Sequence, residues 1–450
     1  MKKKMVSKVV ACGLVATMTA SLAAGCGSKK DDAGKSGGSD GDKVLKVAAF
    51  EGGYGKDLWT DVAKAFEETH DGVKVELTVD KKIEDKITPA MKSGDYPDVI
   101  HCATGRDAGL TETITKEKGL TQLDDVMEMT VPGEDVTVKE KILPGFLDTL
   151  GTQPYNDGKT YYAPMFYAPC GLFYNAQLLE DHGWTVPATW DEMWELGDKA
   201  KAEGISLFTY PHAGYFDAFI YAMLESSGGV DFYNKCMTYE DGIWETPEAT
   251  KVFETIGKLA EYVEPTTLGN ANEESFTKNQ QLILDGKAIF IPNGTWLPGE
   301  MADAPRTDGF KWGFSAIPAV SDSEKPSSFT FFEQMWIPAE GKNQDLAKEW
   351  IAFMYSDKAA DIFAESNAIQ PIVGISDKLE GDNKMFYSIY DNDAAVPVMG
   401  GFASTNPVEG VSMNDTLFRA VDSIVSGDKT VADWQTAVEE ASEKLKAAMD

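Results

Sequence analysis

Val44-Leu45-Lys46-Val47-Ala48-Ala49-Phe50, then Val73-Lys74-Val75-Glu76-Leu77-Thr78-Val79, then Tyr96-Pro97-Asp98-Val99-Ile100 are the segments that decide the fold class of this chain. The first reads as a strand. The second alternates apolar and polar residues, with Val73, Val75, Leu77 and Val79 on one side. The third reads as a turn into another strand. Two helical patterns lie between them. Residues 57–68 put Leu58, Val62, Ala65 and Phe66 on one face, and residues 83–92 form a second amphipathic helix. The order strand, helix, strand, helix, strand argues for an α/β lobe with a largely parallel sheet.

Helical patterns dominate further on, at residues 189–203, 215–225, 246–263, 272–285, 345–355, 359–365 and 433–449. Short strands are expected at 160–163, 171–174, 288–291, 312–317 and 329–337. Residues 44–450 are too many for one ordinary domain, and two lobes of roughly 150–200 residues are expected. Apolar strands near 160–174 and 312–337 would carry the chain between the lobes, with hinges near 165–172 and 330–338. The expected division is 44–165 plus about 300–338 for one lobe, and 166–299 plus 339–450 for the other. A cleft between two such lobes is a common place for a small-molecule site.

The N-terminus bears on location. Lys2, Lys3, Lys4 and Lys8 precede a short apolar stretch that ends in Leu22-Ala23-Ala24-Gly25-Cys26. This is the pattern of a secretory signal, taken as residues 1–25. Small residues before Cys26 suit lipidation of that cysteine, although Ala23 stands where leucine is commoner. The alternative is an ordinary secretory signal with an incidental cysteine. Residues 26–43 are nearly all Gly, Ser, Asp and Lys, a flexible linker that cannot bury apolar surface. The expectation is a chain anchored by lipid on the extracellular face of a cell membrane.

The formal net charge is −32. Loss of the lysine-bearing signal would make it more negative, which disfavours nucleic acid as a partner. Cys102, Cys170 and Cys236 are far apart and odd in number, so they make no disulfide framework. His70, His101, His182 and His212 show no ligand-like spacing, and neither a metal nor a cofactor is expected.

Several segments, taken in order, carry a family resemblance. They are Phe50-Glu51-Gly52-Gly53-Tyr54-Gly55, Tyr96-Pro97-Asp98-Val99-Ile100, and Tyr161-Tyr162-Ala163-Pro164 leading to Leu172-Phe173-Tyr174-Asn175. Trp190-Asp191-Glu192-Met193, Gly286-Lys287-Ala288-Ile289-Phe290 before Asn293-Gly294-Thr295-Trp296, and Ala339-Glu340-Gly341-Lys342-Asn343 follow. Over residues 44–450 the chain resembles the family 1 extracellular solute-binding proteins of ABC transporters, the maltose-binding-like group. The glycine turn at 50–55 and residues 293–301 are similar to binders of N-acetylglucosamine and chitobiose. Mannan, xylan or glucan oligosaccharides fit the same scaffold. The resemblance implies a two-lobed periplasmic-binding-protein-like fold, a sugar or oligosaccharide held in the interlobe cleft, a membrane permease as partner, and a monomer.

Sugars present C–H faces that stack on aromatic rings and hydroxyls that need fixed polar partners. Glu51 and Tyr54 fit this need, in a glycine turn that would also serve as a plain strand-to-helix connection. Arg106 and Asp107 follow the third strand at its carboxyl end, where open α/β sheets bind ligands. A surface ion pair would also explain them. Tyr215 and Asp217 follow Tyr210-Pro211-His212-Ala213-Gly214, and the resemblance gives Tyr215 a stacking role, with Phe216 and Phe219 in the core. Trp296 follows a strand and an Asn-Gly turn, and its match in the family stacks on a sugar ring. Glu333 and Trp336 lie in the expected return strand. A lone carboxylate there is costly unless it faces the cleft or an ion partner. Asn414 is a further contact implied by the resemblance. Trp190, Trp194, Trp350 and Trp434 occur at core spacing, while Trp59 and Trp244 stay open.

Two other readings remain. A glycosidase would set two carboxylates roughly 5–10 Å apart across a cleft, but no catalytic motif accompanies them. A binder of peptide or polyamine would use the negative charge, yet aromatics beside carboxylates suit sugars better.

Overall fold

The computed structural model describes residues 43–449 except 213–214. The signal peptide, Cys26 and residues 26–42 of the linker lie outside the described residues. Lys43, expected to end the linker, already pairs with Val73 in a strand. Among the described residues no helix is long and apolar enough to cross a membrane.

The opening segments form β1 (Lys43–Phe50), α1 (Asp57–Glu67), β2 (Val73–Asp80), α2 (Ile83–Met91) and β3 (Val99–His101). β1 runs parallel to both β2 and β3. α1 buries Leu58, Val62, Ala65 and Phe66 as its spacing requires, and Trp59 as well. Burying side chains such as Val62 and Phe66 contributes about 1.5–3 kcal/mol each.

The remaining strands are β4 (Ala163–Asn175), β5 (Ser206–Phe208), β6 (Ala288–Gly294), β7 (Trp312–Ser315), β8 (Ser327–Trp336) and β9 (Val396–Val398). The strand order is β2-β1-β3-β8-β4-β6-β5, with β7 on β4 and β9 on β8. β4 and β8 carry the chain across. The first half of β4 pairs antiparallel with β8, from Ala163 opposite Met335 to Pro169 opposite Thr330. Its second half pairs with β6 and β7. The result is a two-lobed α/β protein. β1–β3 lie at one end, β5 and β6 at the other, and two shared strands run between.

Three expectations change. The strand expected at 171–174 extends back to Ala163 as one continuous strand, β4, and of the strand expected at 160–163 only Ala163 is extended in it. Pro164 and Pro169 suggest a break because they donate no N–H, but the chain stays extended through both, with a register shift between Pro164 and Phe166. The helix expected at 215–225 runs over Phe216–Met237, past Gly228, with a kink at Gly229 where φ is 76°. The lobe division also moves. Residues 344–365, assigned with 339–450 to the second lobe, pack on α1 through Phe66, which meets Trp350 at 5.1 Å and Phe353 at 5.4 Å. β7, assigned to the first lobe, pairs instead with the second half of β4, on the edge opposite β6. Which core an amphipathic helix enters depends on distant partners that periodicity does not name.

Asp98 explains why the segment at 339–343 returns to the first lobe. It is buried at 2% exposure. Its carboxylate accepts the N–H groups of Lys46 (2.9 Å), Lys342 (3.1 Å) and Asn343 (2.9 Å), and the Asn343 side-chain amide (3.0 Å). Trp59, Trp244, Trp350 and Trp434 are fully buried, and Trp190 and Trp194 nearly so. Phe216 and Phe219 are core residues as well. Cys102, Cys170 and Cys236 are buried free thiols.

Candidate functional site

A cavity of about 690 Å³ opens beside the two shared strands. Its walls include Phe50, Tyr54 and Arg106 from the first lobe, and Thr295 and Trp296 from beyond β6. Phe331, Phe332 and Glu333 of β8 contribute, as do Asn367, Asn383 and Tyr387 from later in the chain.

Tyr54 and Arg106 on the first-lobe wall are held in place. The ring of Tyr54 folds back over its own turn, so that a Cβ at Gly52 would stand 2.5 Å from it. Only glycine permits that approach. The Tyr54 hydroxyl donates to Glu333 Oε2 at 2.6 Å, and its ring meets Phe166 edge-on at 5.0 Å. Arg106 pairs with Glu84 through Nε and Nη2, donates to the Lys81 carbonyl at 2.9 Å, and lies over the Phe50 ring at 3.9 Å. Burial opposes the charge on Glu84, but the Arg106 guanidinium holds its carboxyl below the usual range. Arg106 is thus both the ion-pair residue and the cavity residue that the sequence left as alternatives.

Glu333 has a side chain one-quarter exposed. Burial pushes its carboxyl up to about 7, against the Tyr54 hydrogen bond and the charge of Arg106. His101 lies beneath it, fully buried, with Nε2 3.2 Å from Glu333 Oε2. Neither ring nitrogen makes an aligned hydrogen bond. Burial lowers the His101 imidazole to about 3, which keeps it neutral. The contact is therefore not an ion pair at neutral pH.

Trp296 supplies the opposite wall. Its ring packs over Gly294, where an added Cβ would come within 2.1 Å of it. Phe331 meets it edge-on at 5.5 Å. Phe331 is 40% exposed, a large apolar ring left open to the cavity. An aromatic wall facing a carboxylate and a guanidinium can stack on one face of a ring and hydrogen-bond its edge.

The cavity brings together Trp296, Tyr54, Arg106 and Glu333. Other expected residues fall elsewhere. Trp336 is fully buried among Ile83, Ile100 and Tyr162, which corrects its assignment as a ligand contact. Three residues along a strand reverse the face, so a residue at 336 points away from Glu333. Glu51 is half-buried and off the cavity wall; its backbone N–H bonds the Asp80 carbonyl at 3.1 Å. Asp107 is exposed in an adjoining depression with Lys81 and Lys82. Tyr215 stands behind Trp296 at 6.1 Å and donates to Glu300 at 3.1 Å. Asp217 accepts from the Ala218 N–H at 2.8 Å, and burial raises its carboxyl to about 6. It is not on the cavity wall. Asn414 is exposed and outside the cavity.

Sequence reasoning missed Asn367, Asn383 and Tyr387. Asn367 ends the helix Asp357–Glu365 in a left-handed conformation, with φ 58°. An asparagine after a helix is readable as a stop signal, but nothing local reports that it faces a cavity.

The family described as bacterial extracellular solute-binding protein matches residues 61–385. The chain belongs to that family. It is 28% identical over 387 residues to the diacetylchitobiose binding protein NgcE of Streptomyces coelicolor, covering 80% of this chain and 79% of that one. A maltooligosaccharide ABC transporter solute-binding lipoprotein of Streptococcus pneumoniae is 23% identical over 451 residues, covering 96% and 95%. Among solved structures, the bacterial solute receptor AcbH superposes with a TM-score of 0.69 at 15% identity, covering 90% of this chain and 100% of that one. That likeness bears on the fold, and it is the two-lobed arrangement described above.

Proposed function

We propose that this chain is the extracytoplasmic substrate-binding component of an ABC importer, which captures a sugar or oligosaccharide and delivers it to a membrane permease. The observation that carries the reading is the cavity itself. An open aromatic wall of Trp296 and Phe331 faces Glu333, Tyr54 and Arg106, each held by its own partners. The sugar ligands for which the relatives above are named support the same class of cargo. The sugar stacks on Trp296, and its hydroxyls bond Glu333 and Arg106. Contacts to both sides favour a closed form, since a ligand shifts such an equilibrium only through differential affinity. β4 and β8 are the hinge in this scheme.

Calorimetric titration with manno-, xylo-, malto- and chito-oligosaccharides, with spermidine as control, tests the cargo. Tight spermidine binding without a sugar response would overturn it. Appearance of new reducing ends during incubation would point to a hydrolase instead. The lipid anchor at Cys26 is part of the proposal. Cys26→Ala is expected to release the chain from the membrane fraction, and unchanged retention would refute the anchor.

A further inference from the structure

His101 is a buried polar group that the binding scheme leaves unused. It lies on β3 with no exposed surface, and neither ring nitrogen has an aligned hydrogen-bond partner. Burial in that state costs stability, because water bonded the ring before folding and nothing aligned bonds it after. A phenyl ring would fill the same space at less cost to the fold.

The packing around the imidazole is aromatic. Its ring lies 4.8 Å from Trp59 and 5.3 Å from Phe166, and Phe363 meets Phe166 at 5.1 Å. The polar neighbour is Glu333, with Oε2 3.2 Å from His101 Nε2. Strand register produces that contact. His101 stands opposite Met335 in the antiparallel pair of β3 and β8. Glu333 is two residues from Met335, so it is a diagonal neighbour of His101 on the same face of the sheet.

Tyr54 donates to the same carboxylate oxygen at 2.6 Å. One hydrogen bond leaves a carboxyl free to turn about it. A second partner from another strand removes that freedom, and two contacts on Oε2 leave Oε1 for a ligand. The imidazole suits either form of the acid. Burial keeps it neutral, and a neutral imidazole carries one N–H and one lone pair. With its proton on Nε2 it donates to a carboxylate, and in the other tautomer it accepts from a carboxylic acid. Tyr54 and Arg106, the latter paired with Glu84, are the other titratable groups that act on Glu333.

We propose that His101 is a positioning residue for sugar binding: sugar in the cavity draws the Glu333 carboxyl into line with His101 Nε2, and the completed bond fixes Oε1 on a ligand hydroxyl. The bond is misaligned without ligand and aligned with it, so it adds to affinity. This inference rests on the sugar-binding reading above and gives that site a residue that does not touch the ligand.

The test titrates the full chain calorimetrically with manno-, xylo-, malto- and chitotriose. His101→Phe keeps an aromatic ring against Trp59 and Phe166 and removes both nitrogens. It should weaken binding of the preferred trisaccharide about tenfold, the scale of one hydrogen bond to a charged group. His101→Gln returns a donor and an acceptor near the Nε2 position and should restore affinity to within about threefold of wild type. In a Glu333→Ala background, His101→Phe should cost no further affinity, because its effect passes through that carboxyl. A thermal melt confirms that each variant folds. Nitrogen NMR of histidine-labelled wild type needs no variant to fold, and the His101 ring signals should move at saturating sugar. Wild-type affinity in folded His101→Phe overturns the positioning role. So does a loss in His101→Gln as large as in His101→Phe, an equal loss in both Glu333 backgrounds, or an unmoved His101 signal. Failure of wild type to bind any of the sugars overturns the sugar-binding reading itself, and the positioning role with it.

Discussion

Gly294 is where the placement of the aromatic wall can be tested without touching the wall. The Trp296 ring packs so closely over Gly294 that a Cβ there would stand 2.1 Å from ring carbons Cη2 and Cζ3. Ordinary contact begins near 3.4 Å, so in Gly294→Ala the ring must retreat by more than an ångström. Removing a stacked aromatic outright, as in Trp296→Ala, costs about 1–3 kcal/mol of ligand binding. A radial gap near 1 Å forfeits a quarter to a half of a dispersion contact. Gly294→Ala should therefore weaken sugar binding by about 0.3–1.5 kcal/mol, roughly two- to twelvefold in Kd. Calorimetric titration of both single variants and the double variant completes a thermodynamic cycle. With the ring gone, the added methyl has nothing to displace, so Gly294→Ala should cost no further affinity in the Trp296→Ala background. Wild-type affinity in a folded Gly294→Ala protein would refute the reasoning, as would an equal loss in both backgrounds.

Glu333 governs a pH response. Its folded carboxyl titrates near 7 against an ordinary 4.5, so between those values the folded state holds a proton that the unfolded state releases. This contribution to stability is fully present below pH 4.5 and is lost progressively as the pH rises from there through 7. Melting temperatures at pH 5 and pH 8 should fall further for wild type than for Glu333→Gln, and parallel curves would exclude the assignment. Asp98→Ala removes a buried acceptor of four hydrogen bonds. It should lower urea stability by about 2–4 kcal/mol and leave the Kd of the folded protein unchanged. Glu84→Gln loosens the guanidinium of Arg106 and should weaken sugar binding about tenfold or less; calorimetry showing full affinity would mean that Arg106 needs no such partner.

Much of the fold was legible because burial on one face leaves a local imprint. Val73, Val75, Leu77 and Val79 alternate because β2 has one buried side, and Leu58, Val62 and Phe66 recur at helical spacing for the same reason. The same logic marked Trp190, Trp194, Trp350 and Trp434 as core. It failed at Trp336, where a strand residue close in sequence to Glu333 was placed on the wrong face. It failed also for the helices at 344–365, whose apolar stripes are consistent with either lobe. The cavity was half legible. Trp296 and Arg106 were visible as an aromatic and a charged residue after strands, and Glu333 as a lone carboxylate within an apolar strand. Asn367 and Asn383 were not, because a polar residue near a helix end looks alike whether it faces solvent or a ligand.

The sequence by itself determined the class of the chain: the strand and helix periods, the glycine turn at 50–55, the family resemblance, and the expectation of export. Those are properties of neighbours within a few residues, and they survive in a one-dimensional string. Tertiary structure alone decided that Tyr54 reaches Glu333 across 279 positions. It alone decided that His101 lies beneath that carboxyl, and that two asparagines sixteen residues apart bond each other at the cavity wall. Pairings of this kind depend on where distant segments come to rest once their apolar faces are buried, and local patterning does not encode that.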